Sequence, residues 1–173
     1  MIIIVERKIT SKSDIKDPKE VFKFLDLMKD AFDGIFSSLT KLSIVFFDTN
    51  CLKEGQNETL IAYQEAAKEI RNRLTDLSMI NASLERFLAS ETRPILIRPT
   101  APASINIIID AVGKQFKLYY KAVKGTYFPR FDKEIQELKD IITRLNSNID
   151  RINEINSAYT PRVILAHVKN LTV

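Results

Sequence analysis

The stretch that decides the fold is FDKEIQELKDIITRLNSNIDRINEINSAY, residues 131–159. Its apolar residues recur at alternating spacings of three and four, which is typical of a helix with one buried face. In a two-stranded coiled coil, charged residues would flank that face. Here two of the flanking positions hold Ile141 and Ile155, so the apolar stripe is wide enough for a helical bundle.

Three further segments show the same alternation of apolar residues. They run from Val21 to Phe46, from Leu60 to Leu88 and from Ile105 to Val123. Repeated stripes of this kind indicate helices that pack at shallow angles, as in a bundle or a coiled coil. The sequence therefore predicts an all-α protein, an elongated antiparallel four-helix bundle made of two helical hairpins.

Chain-breaking residues indicate where the helices end. Asp17 and Pro18 form a capping residue followed by a proline in the first turn, Gly55 is a stop signal, and Ser104 can cap the third helix. The segment TRPILIRPTAPA has three prolines within nine residues, which predicts an extended crossover. Within a single domain, 1–173, the predicted helices are 18–50, 57–91, 104–124 and 130–158, with the linker at 92–103.

The two ends of the chain carry shorter apolar segments. Residues Ile2–Val5 form a strand-like run at the amino terminus. At the carboxyl terminus, Thr160 and Pro161 favour the start of a short helix with the apolar stripe Ile164, Val168 and Leu171. An alternative for the last two long helices is one continuous helix with a proline kink, which would reduce four helices to three.

The stripes also predict individual core positions. Asn81 and Asn156 lie on them, either as polar layers that fix the register or as points where a helix leaves the core. Large apolar residues in the middle of the stripes are expected to be fully buried: Leu74, Leu77, Ile142 and Leu145.

Composition limits the classes of function. The 26 basic and 22 acidic residues are dispersed and leave a net charge of only +4, so a nucleic-acid-binding face is not indicated. One cysteine, Cys51, cannot form an internal disulfide. The amino-terminal apolar run is too short for the core of a secretion signal. We expect a soluble, cytoplasmic protein.

The segment IFSSLTKLSIVFF, residues 35–47, is apolar almost all round the first helix. Beyond the stripe it adds Phe36, Ile44 and Phe47, which form a candidate interaction surface. Either the two apolar ends of the chain cover this surface or another molecule does. The segment is shorter than a membrane-spanning helix, so a membrane surface is a possible partner that the sequence does not favour.

The residue patterns of several kinds of catalytic and cofactor site are absent from the sequence. A di-metal carboxylate bundle needs two Glu-x-x-His pairs, and the chain has one histidine. A zinc site fails for the same reason, and no glycine-rich phosphate loop occurs. The sequence therefore predicts no metal and no cofactor.

The only histidine, His167, lies five positions after Arg162. This spacing resembles the R-x4–6-H motif of HEPN ribonucleases, which are small helical domains. The resemblance implies that the two side chains act on an RNA phosphodiester at a dimer interface, the imidazole in proton transfer and the guanidinium on phosphate. The chain departs from the pattern at Val163, where the family has a polar residue. On one helix the pair would also lie about 140° apart.

These observations favour a non-enzymatic protein that acts through its surface, by self-assembly or by binding a protein partner. A structural protein, a coat-type subunit or an adaptor would fit, with a homo-oligomer as the expected form. One alternative is a membrane-active helical protein that uses residues 35–47. The second alternative is a HEPN-like ribonuclease that uses Arg162 and His167.

Overall fold

Four long helices account for most of the molecule, and the prediction of an all-α bundle is confirmed. The computed structural model describes residues 15–47, 56–159 and 164–173. Within these ranges no strand occurs. After a 3-10 turn at Pro18–Glu20, the helices are α1 (Val21–Phe47), α2 (Gln56–Leu88), α3 (Ala101–Val123) and α4 (Asp132–Asn156).

The helix boundaries follow local side-chain chemistry. The Asp17 carboxylate accepts a hydrogen bond from the Lys19 N–H at 2.9 Å, as a capping residue should. The α3 helix begins at Ala101, so the prediction that Ser104 caps it is wrong. The reason is that Pro102 fits the first turn, where no N–H is needed. The predicted ends at 48–50, together with Cys51, Gly55 and the segment Ile2–Val5, lie outside the described residues.

The helices α1 and α2 form one hairpin and α3 and α4 form the other, and α3 and α4 are two separate helices. A turn with Gly125 at φ 81° separates them, a left-handed conformation that glycine adopts without strain. The α1 helix packs on both α2 and α3, and α2 also packs on α4. The hairpins therefore lie side by side, and the molecule is a bundle rather than a two-stranded coiled coil.

Aromatic contacts at one end of the bundle fix the helix directions. Phe46, at the end of α1, contacts Tyr119, near the end of α3. Tyr63, near the start of α2, stacks on Phe131, just before α4. Tyr119 and Phe131 are also in contact. Helices within a hairpin are thus antiparallel, whereas neighbours from different hairpins run parallel.

The core positions predicted from the stripes are confirmed. Ile141 and Ile155 are buried, which gives α4 the wide apolar face of a bundle helix. Asn81 is fully buried and donates to the Ile141 carbonyl oxygen at 3.0 Å, so it forms a polar layer between α2 and α4. The four core residues named from the sequence are all buried: Leu74, Leu77, Ile142 and Leu145.

The C-terminal residues 164–173 form no helix, so the prediction of a short C-terminal helix is wrong within this range. They run as an extended segment, which we call the C-terminal strap. Ile164, predicted to be buried, is exposed, while Leu165, Val168 and Leu171 are buried. Branched residues such as Ile164 and Val168 have modest helix propensity. An extended main chain can also form hydrogen bonds to the neighbouring helices through its N–H and C=O groups, which a helix would pair internally.

The strap occupies a gap in the bundle. The backbones of α3 and α4 do not come within 8 Å of each other, although the two helices are consecutive. The strap lies between them and makes hydrogen bonds to both. The bundle is therefore closed on three sides by helix–helix packing and on the fourth by an extended chain.

Candidate functional site

The gap between α3 and α4 forms a groove that holds the strap by its main chain. The Asn146 side chain donates to the Val168 carbonyl oxygen at 3.0 Å and accepts from the Val168 N–H at 2.8 Å. The Asn153 side chain does the same to Leu165, at 2.9 and 2.8 Å. Each asparagine amide is thus a two-point clamp on one residue of the strap, and we call the pair the asparagine clamps.

The distance between the two clamps on α4 matches the distance between the two strap residues that they bind. Asn146 and Asn153 are seven residues apart on α4, which corresponds to about 10.5 Å at the α-helical rise. Leu165 and Val168 are three residues apart, which corresponds to about 9 Å at the polyproline II rise. Because the two distances nearly agree, both clamps can close on one extended segment, which runs antiparallel to α4.

The α3 side of the groove adds two contacts. The Asn106 side-chain oxygen accepts from the Lys169 N–H at 2.6 Å. Further along, Gly113 is buried, and a Cβ atom at this position would lie 2.6 Å from the Thr172 carbonyl oxygen. Since that neighbour is backbone rather than a flexible side chain, glycine is what allows the strap to approach the helix so closely.

Burial along the strap repeats every three residues. Leu165, Val168 and Leu171 point into the molecule, and the two residues between each pair are exposed. A period of three is that of polyproline II, which has no internal hydrogen bonds and leaves its N–H and C=O groups available to the clamps. The groove therefore holds a segment whose apolar residues recur at every third position.

His167 takes part in the same contact. Its Nε2 lies 2.5 Å from a carboxylate oxygen of Asp150, which is on α4 between the two clamps. Both side chains are more than half exposed. Arg162 lies outside the described residues, so the structure does not place it beside His167. The imidazole is engaged with a carboxylate of its own chain, and the only described partner of His167 is Asp150.

Two details of the sequence could have indicated this groove. The strap repeats its apolar residues with a period of three, at Leu165, Val168 and Leu171, and this period is distinct from the helical one. Asparagines seven residues apart, Asn146 and Asn153, lie on one flank of an amphipathic helix, where charged residues are more usual. Neither signal decides the conformation alone, because Val168 and Leu171 also fit the apolar stripe of a helix and the two asparagines also fit its solvated face.

A third asparagine on α4 fastens the crossover in the same way. Asn156 donates to the Ile95 carbonyl oxygen and accepts from the Ile95 N–H, both at 2.8 Å. Of the two roles expected for Asn156, the structure gives the second, because α4 ends there. Glu91 accepts hydrogen bonds from the Arg93 side chain and backbone, which lower the pKa of Glu91 to about 2. The proline-rich crossover is thus held by polar contacts.

The predicted interaction residues lie on the outer side of α1. Phe36 is half-buried and packs against the core, whereas Ile44 and Phe47 are 66% and 54% exposed. With Thr40, they follow one line along the helix, which we call the α1 stripe. The strap lies between α3 and α4, so residues 164–173 do not cover the stripe, which was one of the two alternatives. The amino-terminal residues, which belong to the same alternative, lie outside the described ranges.

The end of the bundle near the α3–α4 turn is built from packed rings. The Tyr119 hydroxyl donates to the Pro129 carbonyl oxygen at 2.6 Å and secures the turn. Burial raises the pKa of Tyr119 far above its ordinary value, and it also raises the pKa of Tyr63. Both hydroxyls therefore stay protonated, which suits a structural role.

Other kinds of site were sought in the part of the chain that the structure describes. In it, no group of three or more His, Cys, Asp or Glu side chains is arranged to hold a metal ion. None of its helices combines the length and the apolar character needed to cross a membrane.

The chain matches no family model, no curated protein and no solved structure at a significant level.

Proposed function

We propose that the protein is a non-enzymatic helical bundle that acts by self-assembly, with the α1 stripe as the contact between copies. The observation that supports this proposal is the exposure of Ile44 and Phe47 on one line of a single helix. Large apolar side chains left in water forgo about 1.5–3 kcal/mol each relative to burial. Association of two copies through this stripe would recover that free energy.

Charged residues bound the α1 stripe on its amino-terminal side. On the amino-terminal half of the same outer face, α1 carries Asp26, Lys29 and Asp33, which are exposed and charged. An apolar patch bounded by charge is typical of a protein–protein contact with a defined register. The same helix in a second copy offers a surface of the same kind, as a twofold-symmetric contact requires.

The test replaces both exposed residues of the stripe, Ile44→Asp with Phe47→Asp. We expect sedimentation equilibrium to show an oligomer for the unmodified protein and a monomer for the double variant, with helix content unchanged in far-UV circular dichroism. The matched control is Leu96→Asp with Ile107→Asp, because these two residues are exposed to 73% elsewhere on the surface. The control should leave the oligomer intact.

The outcomes separate self-assembly from the membrane alternative. A monomeric protein that binds anionic liposomes, and loses that binding in the Ile44→Asp, Phe47→Asp variant, would favour a membrane surface as the partner of the stripe. A monomer that ignores liposomes, and whose double variant behaves identically, would contradict both functions.

A further inference from the structure

The groove between α3 and α4 holds the strap mainly through groups that every polypeptide has. The clamps Asn146 and Asn153 bind the N–H and C=O of Val168 and Leu165, and Asn106 binds the Lys169 N–H. These contacts do not depend on how the strap is connected to α4. The same segment presented by another copy could make all of them.

Three side chains add selectivity to this main-chain recognition. Leu165, Val168 and Leu171 are each at most 4% exposed in the groove. Gly113 leaves room for the backbone at Thr172, and Asp150 meets His167. A ligand must therefore be extended, carry apolar residues three apart and place a small set of polar groups correctly. The C-terminal segment of a second copy meets every condition.

A groove without a strap would expose apolar surface to water, so a strap that leaves the groove is expected to be replaced by another strap. Without a strap, the facing sides of α3 and α4 would be exposed, because their backbones do not approach within 8 Å. A strap that leaves its own groove thus creates a site for an identical strap. This reciprocity is the physical basis of domain swapping between identical chains.

We propose that the α3–α4 groove accepts the C-terminal strap of a second copy in place of its own, so that copies are joined by exchanged straps. The inference deepens the proposed self-assembly and rests on it for its biological role. In dilute solution the covalently attached strap wins, because a short connection gives an effective concentration in the millimolar range. Exchange takes over when copies are held together, as contact through the α1 stripe would do.

The test is a complementation between two full-length variants. The groove variant carries Asn146→Ala and Asn153→Ala and keeps a normal strap. The strap variant carries Leu165→Asp and Leu171→Asp and keeps a normal groove. Neither variant can dock its own strap well, but the strap of the first fits the groove of the second. Mixing them should give a one-to-one complex of twice the 19.8 kDa chain mass, whereas each variant alone stays monomeric.

Two additions make the result specific. Both variants also carry Ile44→Asp and Phe47→Asp, so association through the α1 stripe does not contribute, and failure of the proposed function does not affect this outcome. As a control, Gly113→Val is added to the strap variant, where its side chain would displace the backbone at Thr172. This addition should abolish the complex.

A mixture that remains monomeric up to millimolar concentration, with helix content intact in both variants, would overturn the proposal. If a double substitution lowers the helix content, Asn153→Ala and Leu171→Asp alone serve as the groove and strap variants. The same complex is then expected, and its absence has the same meaning.

Discussion

The two flanks of α4 face different neighbours. On one flank the neighbour is α2, a helix that packs directly and parallel to it. On the other flank the neighbour is the extended strap, which separates α4 from α3. Both flanks carry asparagines: Asn148 faces α2, and Asn146 and Asn153 face the strap. The same residue type is used in two different ways.

The difference depends on whether the main-chain N–H and C=O groups of the neighbouring segment are already hydrogen-bonded. Within α2 the N–H groups are already paired, so Asn148 only donates, to the Asn81 side-chain oxygen at 3.2 Å and to the Asn81 main-chain carbonyl oxygen at 3.5 Å, and forms a buried polar layer. The extended strap has unpaired groups, so the amides of Asn146 and Asn153 bind the backbone twice each. An asparagine on a helix flank is thus a register marker beside a helix and a clamp beside an extended chain.

The largest expected effect lies in the directly packed core. Leu77→Ala or Ile142→Ala should lower the free energy of unfolding by about 2–5 kcal/mol, because both side chains are fully buried between helices and leave a cavity. Urea denaturation measures this change. Leu171→Ala, at the end of the strap, should cost less, since the strap can shift to fill the space. Equal losses would show that the strap is as integral to the core as the helices.

The polar layer between α2 and α4 should come next in size. Asn81→Ala removes the side-chain acceptor of Asn148 and leaves only the main-chain carbonyl oxygen of residue 81, at 3.5 Å. A buried polar group that loses its better partner in this way costs about 1–3 kcal/mol. Replacing both asparagines by leucine should cost less than the single change, because no buried polar group is then left unpaired. Chemical denaturation of the two variants checks the order. A double variant less stable than Asn81→Ala would mean that the two asparagines together stabilise the bundle more than two buried leucines do.

Alanine substitutions at two glycines should change stability in opposite directions, depending on whether the glycine faces the strap. Gly113→Ala would place a Cβ 2.6 Å from the Thr172 carbonyl oxygen, so the end of the strap must move. At Gly34 the nearest atom is the side chain of Arg73, whose flexible end can turn away. We expect Gly34→Ala to raise stability by about 0.5–1 kcal/mol through helix propensity. For Gly113→Ala we expect a net loss of about 1 kcal/mol, because displacing Leu171 outweighs that gain.

Hydrogen exchange at Val168 and Leu171 provides the decisive measurement for these glycines. Faster exchange there in Gly113→Ala, with unchanged exchange in α2, would place the effect on the strap flank. If Gly113→Ala stabilised the protein as Gly34→Ala is expected to, the close approach of the strap to α3 would be wrong.

The sequence predicted one flank of α4 much better than the other. The α2-facing flank follows from apolar periodicity over helices of 25 and 33 residues, a signal long enough to place Asn81 on the stripe, with a polar layer as one of its two expected roles. The strap is ten residues long, and two of its three buried residues, Val168 and Leu171, fit the helical stripe as well as the extended one. Only Leu165 in place of Ile164 distinguishes the two patterns.

The partners of the strap lie farther along the chain than local patterns reach. The clamps are 12 and 22 residues away from the strap residues that they bind. Capping signals at Thr160 and Pro161 act locally and favoured a helix, whereas tertiary hydrogen bonds decided the conformation. For the α1 stripe, the exposed positions Ile44 and Phe47 could be predicted, because they only require the phase of one helix.

The smallest expected effects come from the exposed ion pairs, one on each flank. Arg144 makes two hydrogen bonds to the Glu85 carboxylate of α2, at 2.9 and 3.1 Å. His167 contacts Asp150 on the strap side. All four side chains are more than a third exposed, and pairs of this kind typically contribute about 0–1 kcal/mol. Arg144→Ala and His167→Ala should each change the free energy of unfolding by less than about 1 kcal/mol.

Local opening should still distinguish these two variants. His167 belongs to a segment held by few contacts, so His167→Ala should speed hydrogen exchange at Val168 and Lys169 without affecting α2. Arg144→Ala should leave the exchange of both flanks unchanged, because the buried layer at Asn81 and the surrounding apolar packing hold α2 and α4 together. A loss well above 1 kcal/mol for His167→Ala alone would mean that the imidazole, rather than the asparagine clamps, contributes most to holding the strap.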